Sequence, residues 1–350
     1  MTVYHVIGLM SGSSLDGLDV CYIQFNRETT HWTYQILAKA CYGYEVDFRE
    51  KLRHIPNSSA FDLARMHTEF SKICAGYIQQ FFQEFPESKN AELIVSHGQT
   101  IFHQPEKSFT TQIGCGATLA ALTGKQVVCD LRTYDVALGG QGAPLVPFGE
   151  QYLFPEYTCF INIGGICNIS IHHPQTIQAF DVCPGNTLLN LLANQKGLEY
   201  DDRGHLAQQG HLHQALLESL SKIPFYQKTG PKSLGTEQIL SVWQPVLDEY
   251  AIPLEDKLAT VVEHISTELD KQIKGEKILI TGGGALNQYL IRRIQAHTRA
   301  QVIIPDVDTI QFKEALIVGF VGLMRLLGHT NFLSSVTGAQ RDNMGGALYG

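Results

Sequence analysis

Apolar and polar positions along the chain fall into two recurring patterns. The segment "HVIGLMSGSSLDGLDVCYIQF", residues 5 to 25, is β-rich, breaks into Gly, Ser and Asp, and becomes β-rich again. It predicts two strands joined by a polar tip too long for a two-residue turn. The tip carries Gly12, Ser13, Ser14, Asp16, Gly17 and Asp19. Glycine lets a ligand approach the backbone, and hydroxyls with free N–H groups suit an anion such as phosphate. Ordinary turn residues on a solvated hairpin have the same composition.

The pattern recurs at "YTCFINIGGICNISIHHPQTIQAFD", residues 157 to 181: strand, Gly164–Gly165 interruption, strand, and a further extended stretch ending on Asp181. The separation of roughly 150 residues is one domain length, which predicts a duplicated α/β unit. Between the copies, residues 61 to 85 place apolar side chains at helical spacing. "AELIVSHGQTIFHQP" reads as a strand leading into a polar loop, and "TGKQVVCDLRTYDVALGGQGAPLVPFGE" as a strand followed by a Gly- and Pro-rich loop. That loop, near residues 135 to 147, is the expected lobe boundary, as a hinge or as a plain surface loop. Further on, Pro184, Gly185 and Asn186 can start a helix, and residues 258 to 273 form an amphipathic one. "KILITGGGALNQYLIRRIQAH" predicts a strand, three glycines and a helix whose N-terminal N–H groups face a ligand.

Composition narrows the function. The 350 residues, 44% hydrophobic and 17% charged, are enough for two folded domains. A net charge of −8 gives no basic field for nucleic acid or an anionic membrane. The first ten residues lack the character of a signal peptide, and no run of about 18 apolar residues follows, so a cytoplasmic protein is expected. The eight cysteines contain no C-x-x-C and all precede residue 184, which reads as reduced, mostly buried thiols. Gly282 to Gly284 are contiguous, so the loop is not a dinucleotide fingerprint, and no G-x-x-x-x-G-K-[ST] occurs. Three glycine loops at strand ends fit a nucleotide held between two lobes, phosphates at the hairpin tips and adenosine at the triple glycine.

"GLMSGSSLDGLDV", "SHGQTIFHQP", "LGGQGAPLVP", "NIGGICNIS", "FDVCPGN", "TGGGALNQYLIRR" and "VTGAQRDNMGGALYG" resemble, in order and spacing, the anhydro-N-acetylmuramic acid kinases, from about residue 7 to the C-terminus. The resemblance implies the actin–hexokinase–Hsp70 type of α/β fold: two RNase H-like lobes, residues 1–138 with 336–350 and residues 139–335, around a nucleotide cleft that closes on substrate. It implies opening of 1,6-anhydro-N-acetylmuramic acid by water with phosphorylation of O6 from ATP, giving N-acetylmuramic acid 6-phosphate in peptidoglycan recycling, by a homodimer in the bacterial cytoplasm. An ordinary free-sugar kinase or an inactive ATP-binding sensory relative is the alternative.

Carried over residue by residue, Asp181 is the catalytic base. Glycoside hydrolysis normally needs two carboxyl groups, but capture of O6 by phosphate leaves one proton-transfer role. Gly12, Ser13, Ser14, Leu15, Asp16, Gly17, Leu18 and Asp19 contact the ATP phosphates, with Gly164 and Gly165 as the second phosphate hairpin. Gly282, Gly283 and Gly284 approach the nucleoside, and Asp16 helps to place Mg²⁺ through water. His97, Gln99, Arg132, Asp135, Asn186 and Glu314 are the expected sugar contacts, Arg132 taking the lactyl carboxylate. From the residues alone, Asp135 could instead pair with Arg132, Asn186 could cap a helix, and Glu314 could be a solvated helix acid. Val182 and Cys183 stand where the family has Thr and Gly, Ser13 where Thr is common, and Leu234 and Thr236 where Thr and Arg are usual. Cys183 is thereby expected to put a side chain beside the base.

Overall fold

The computed structural model describes every residue except Ser13, Thr30, Gln175 and 229–231; the expected contact at Ser13 lies outside the described residues. Contacts divide the chain into two compact units, Met1–Pro155 with Phe312–Gly350, and Glu156–Gln311.

In the first unit β1 (Thr2–Ser11), β2 (Gly17–Glu28) and β3 (His31–Gly43) form an antiparallel meander. β4 (Leu93–Ser96) and, after a small ribbon discussed below, β7 (Gln126–Cys129) add in parallel on the other side of β1. A last short strand, β13 (Ala347–Tyr349), pairs antiparallel to β7. The sheet order is β13-β7-β4-β1-β2-β3. In the second unit β8 (Cys159–Ile163), β9 (Ile166–His172) and β10 (Ile177–Pro184) repeat the meander, and β11 (Lys277–Thr281) and β12 (Gln301–Ile303) add in parallel beside β8. Its order, β10-β9-β8-β11-β12, repeats β3-β2-β1-β4-β7 strand for strand. This is the duplicated RNase H-like arrangement of the actin–hexokinase–Hsp70 type.

The helices follow from pattern and caps. Ser59 caps the helix Ala60–Glu84 by accepting from the Asp62 N–H at 3.1 Å, and Met66, Phe70, Cys74, Ile78 and Phe81 form its buried stripe. In the second unit, Leu258, Val261, Val262, Ile265 and Leu269 do the same on Leu254–Gln272.

Three expectations are corrected. The stretch after β4 is not a polar loop: it forms β5 (Gln99–Gln104), paired with β6 (Phe109–Ile113) as the separate ribbon. Residues 135 to 147 are not at a unit boundary, because the Asp135 carboxylate takes the Gly142 N–H at 2.8 Å and the Asp135 carbonyl takes the Gly140 N–H at 2.9 Å. Residues 139–155 and 312–335 also belong with the first unit rather than the second. The reason is packing: Lys313 and Glu150 form a buried ion pair at 2.5 Å, and the helix Val307–Leu326 lies so close to β1 that a Cβ at Gly8 would sit 2.0 Å from the Ala315 carbonyl oxygen.

Candidate active site

In the first unit, the β1–β2 tip holds Leu15 at a φ of 60°, a left-handed conformation uncommon for a branched side chain, its N–H bonded to the Gly12 carbonyl at 3.3 Å. The tip's two glycines differ in purpose. A Cβ at Gly17 would lie 2.4 Å from the Tyr42 carbonyl, so glycine there serves strand pairing, whereas a Cβ at Gly12 would meet only Ser14 Oγ at 3.7 Å. Leu18 is buried in the core, so the structure does not bring its side chain to the tip. Ser14 and Asp16 are exposed, and the Asp16 carboxylate has no hydrogen-bond partner among the described residues. Asp19 faces Cys41 across the β2–β3 register; burial raises its pKa, partly opposed by a hydrogen bond from the thiol. The Cys41 thiol, desolvated beside this carboxylate, is pushed up to about 12.

Behind the tip, β4 delivers His97. Its Nδ1 lies 2.9 Å from the Gly98 carbonyl, and Nε2 lies 3.0 Å from Arg132 Nε and 2.8 Å from Nη2. Only one tautomer fits: Nδ1–H donates to Gly98, and Nε2 accepts from the guanidinium. Burial, then the Arg132 charge, lowers the His97 pKa to about 3, so the ring is neutral. Arg132 spends a third donor on the Gly142 carbonyl at 2.6 Å. No carboxylate reaches it within ion-pair distance among the described residues, so the expected alternative of an Asp135–Arg132 pair is not formed. Burial lowers the Arg132 pKa to about 10, with Glu314 opposing. Glu314 keeps solvent access, yet the protein around it desolvates its carboxylate enough to raise its pKa, with Arg132 lowering and Asp19 raising it in turn. His97, Arg132, Glu314 and Asp19 are thus brought together electrostatically.

Asp135 and Gln99 are placed otherwise. Asp135 is 0% exposed and accepts from the Gly142 N–H, Thr337 Oγ1 at 2.9 Å and Asn343 Nδ2 at 2.7 Å, which leaves it fastening the segment 337–343 rather than reaching a sugar. The side-chain amide oxygen of Gln99, Oε1, accepts from Ser11 Oγ at 2.6 Å, and Ser11 in turn takes the Tyr44 hydroxyl at 2.7 Å. With its hydroxyl proton committed to Gln99, Ser11 must be the acceptor from Tyr44.

In the second unit, the Gly164–Gly165 turn of β8–β9 is braced from behind. Its carbonyls accept from the N–H groups of Gly185 at 2.8 Å, Asn186 at 2.9 Å and Thr187 at 3.1 Å, the start of the helix Asn186–Ala193. Gly185, not Asn186, is the N-cap, and the helix has no side-chain cap; Asn186 therefore does not act as one. Its amide nitrogen instead lies 3.6 Å from where a Cβ on Gly283 would sit. A Cβ at Gly164 would meet nothing nearer than Asn162 Nδ2 at 3.5 Å. Gly282 and Gly284 are different: their Cβ atoms would strike Asn162 Oδ1 at 2.6 Å and Ile163 Cγ2 at 2.1 Å. Those two glycines are needed for packing against β8, and Gly164 and Gly283 leave room for a group to approach the backbone. The triple glycine does not run straight into a helix N-terminus: a 3₁₀ turn, Gly283–Leu286, intervenes, and Asn287 caps Gln288–His297 by accepting from the Leu290 N–H at 3.0 Å.

Asp181 stands on β10 beside a bulge at Val182, which shifts the register so that Cys183 opposes Cys167. Its Oδ2 accepts from the Leu234 N–H at 2.8 Å, and its own N–H donates to the Lys232 carbonyl at 2.9 Å. Its Oδ1 has no partner among the described residues. Burial raises its pKa, partly opposed by the Leu234 hydrogen bond. The bulge also corrects the expectation for Cys183: with Cys167 it is 0% exposed, packed in the core rather than beside the base in the site. Leu234 is likewise core, and Thr236 is exposed.

The sequence reading missed Ser11, Tyr44, Asn162 and Lys232. For Asn162 a signal existed, a lone polar residue within the apolar strand "CFINI"; the others act through contacts distant in sequence. Among the described residues, no group of three or more ligating side chains is placed to hold a metal ion, and no helix is long and apolar enough to cross a membrane.

Comparison with known proteins shows the family. The family model for anhydro-N-acetylmuramic acid kinase matches residues 4–350. A protein of that name from Saccharophagus degradans is 35% identical, over 98% of this chain and 98% of its own. Others from Pseudomonas paraeruginosa and Vibrio vulnificus are 34% and 32% identical, the first over the full length of both chains and the second over 98% and 97%. The chain belongs to the anhydro-N-acetylmuramic acid kinase family.

Proposed function

We propose that this protein opens 1,6-anhydro-N-acetylmuramic acid with water and phosphorylates its O6 from ATP, yielding N-acetylmuramic acid 6-phosphate and ADP in peptidoglycan recycling. The observation that carries the reading is the half-held carboxylate of Asp181. Leu234 fixes Oδ2, Oδ1 stays available, and burial raises the pKa, which suits a general base operating near neutrality. Oδ1 takes a proton from the water that attacks the anomeric carbon as the C1–O6 bond breaks. The electron pair left on O6 is captured by the γ-phosphoryl group, so no second acid is required.

Arg132, oriented by neutral His97 and lacking a carboxylate partner, supports the lactyl carboxylate of the sugar, and Glu314 a sugar hydroxyl. Gly12, Gly164, Gly165 and Gly283 would hold the nucleotide through their backbone; an added Cβ would meet no atom nearer than 3.5 Å at Gly12, Gly164 and Gly283, and Thr187 Oγ1 at 2.7 Å at Gly165. The exposed Asp16 fits a magnesium ion held through water. That ion would supply charge neutralisation on the phosphates. We further propose a cytoplasmic homodimer, testable by sedimentation equilibrium.

The test is turnover in ¹⁸O-labelled water with ATP and the anhydro sugar. Label at the anomeric carbon of a 6-phosphorylated product is expected; a phosphorylated product without label would overturn the hydrolytic step.

A further inference from the structure

Resting on the reading of Asp181 as the base, we infer that Lys232 is a positioning residue for it, acting through the backbone. β10 is the edge strand of its sheet, so no neighbouring strand supports the outer side of Asp181. The support comes from residues 232–234: the Lys232 carbonyl takes the Asp181 N–H at 2.9 Å, and the Leu234 N–H holds Oδ2 at 2.8 Å. These two bonds fix the strand and the carboxylate of one residue from one short piece of chain.

That piece has no regular secondary structure of its own and is therefore held by side chains. Leu234 is buried in the core. Lys232 supplies the other anchor: its ammonium donates to the Phe225 carbonyl at 3.3 Å and sits 4.5 Å over the Phe225 ring and 5.8 Å from the Tyr226 ring centre. The aromatic floor is itself fixed. Phe225 is buried, and the Tyr226 hydroxyl accepts from Trp243 Nε1 at 3.1 Å and bonds His264 Nε2 at 2.8 Å. A cation held over rings and on a carbonyl, with no carboxylate within ion-pair distance among the described residues, is a mechanical anchor. Without it, residues 232–234 lose one of two fastenings, and Oδ1 of Asp181 is no longer aimed by a fixed partner.

The experiment uses the full chain with ATP and 1,6-anhydro-N-acetylmuramic acid, comparing Lys232→Ala, Lys232→Met and Lys232→Arg, alone and combined with Asp181→Asn. Lys232→Ala should lower kcat about ten- to a hundredfold with both KM values little changed, since small misplacements of a catalytic group cost on that order. Lys232→Arg, which keeps a cation for the carbonyl and rings, should restore most of the rate. In the Asp181→Asn background the same Lys232→Ala change should lower kcat less than about twofold, because a residue acting through the base has nothing left to position. Equal losses in the two backgrounds would make Lys232 merely structural and overturn the inference, as would an unchanged kcat in Lys232→Ala. If Lys232→Ala fails to fold, Lys232→Met, which retains the apolar stem, carries the same tests. Near-normal turnover in Asp181→Asn alone would instead overturn the assignment of the base.

Discussion

The two units share one strand order and use it differently. The first builds its meander from strands of 10, 12 and 13 residues, the second from strands of 5, 7 and 8. The first gathers ionisable side chains behind a long polar tip: Asp16 and Asp19, with His97, Arg132 and Glu314. The second offers a two-glycine turn, open backbone and one half-held carboxylate. In the function proposed above, the duplicated scaffold would carry recognition by side chains in one copy and backbone approach with a single base in the other, the difference lying in loops rather than in the sheet. The contrast is sharpest between two aspartates. Asp135 in the first unit accepts three hydrogen bonds and is wholly buried; Asp181 in the second accepts one and keeps an oxygen open.

Exchanging each for asparagine should therefore have opposite signatures. Asp181→Asn preserves shape but cannot take a proton from water, and kcat should fall by about 10²- to 10⁴-fold. ATP and sugar affinities, measured by calorimetry, should change far less; near-normal turnover would remove Asp181 from the mechanism and point to Glu314. Asp135→Asn puts an amide donor against groups that already donate. It should lower unfolding stability by about 3 kcal/mol, read by chemical denaturation, because buried donors lose a charged acceptor. An Asp135 variant of wild-type stability with a raised sugar KM would return this residue to the binding site.

How much of this was legible in the sequence follows the range of the interactions. The duplicated hairpins and the helices at residues 61–85 and 258–273 were readable because each depends on local periodicity, and the start at Asn186 because Pro184 and Gly185 mark it in the sequence. The small ribbon β5–β6 was not, since its pairing is decided by partners outside the stretch read as a loop. Glycine counts also misled: the cluster at residues 135–147 looks like a hinge, but Asp135 knits it to Thr337 and Asn343, about two hundred residues away. Family resemblance singled out Asp181 as the expected base, whereas its hydrogen bond from Leu234 was invisible across 53 residues. The bulge that turns Cys183 into the core has no local signature in "FDVCPGN".

Acid titration compares the units again, because each buries one neutral histidine, His97 in the first and His264 in the second, both held near a pKa of about 3 by desolvation. Unfolded histidines bind protons first, near 6.5, so this contribution to stability is fully present above that value and is lost as pH falls toward about 3. At pH 5 each should cost about 2 kcal/mol relative to neutral pH. The two tryptophans, Trp32 and Trp243, fall one in each unit, so emission of Trp32→Phe and Trp243→Phe variants reports the units separately. Parallel acid transitions are expected; an acid-resistant second unit would mean that His264 gains a compensating partner.

The smallest effects distinguish the two kinds of glycine in the second unit. At Gly284 an added methyl would overlap Ile163 Cγ2 at 2.1 Å, and overpacking of this kind costs about 1–3 kcal/mol, so Gly284→Ala should lower stability with or without nucleotide present. At Gly283 the same position is open, its nearest neighbour the Asn186 amide at 3.6 Å. Gly283→Val should therefore leave the unfolding midpoint unchanged while it weakens ATP binding about tenfold, close to 1.4 kcal/mol, by occupying space that the nucleotide needs. Calorimetry with ATP separates the outcomes. Unchanged affinity in a folded Gly283→Val protein would mean that the open backbone at Gly283 does not meet the nucleotide, and would leave the Gly164–Gly165 turn as the second unit's contact with it.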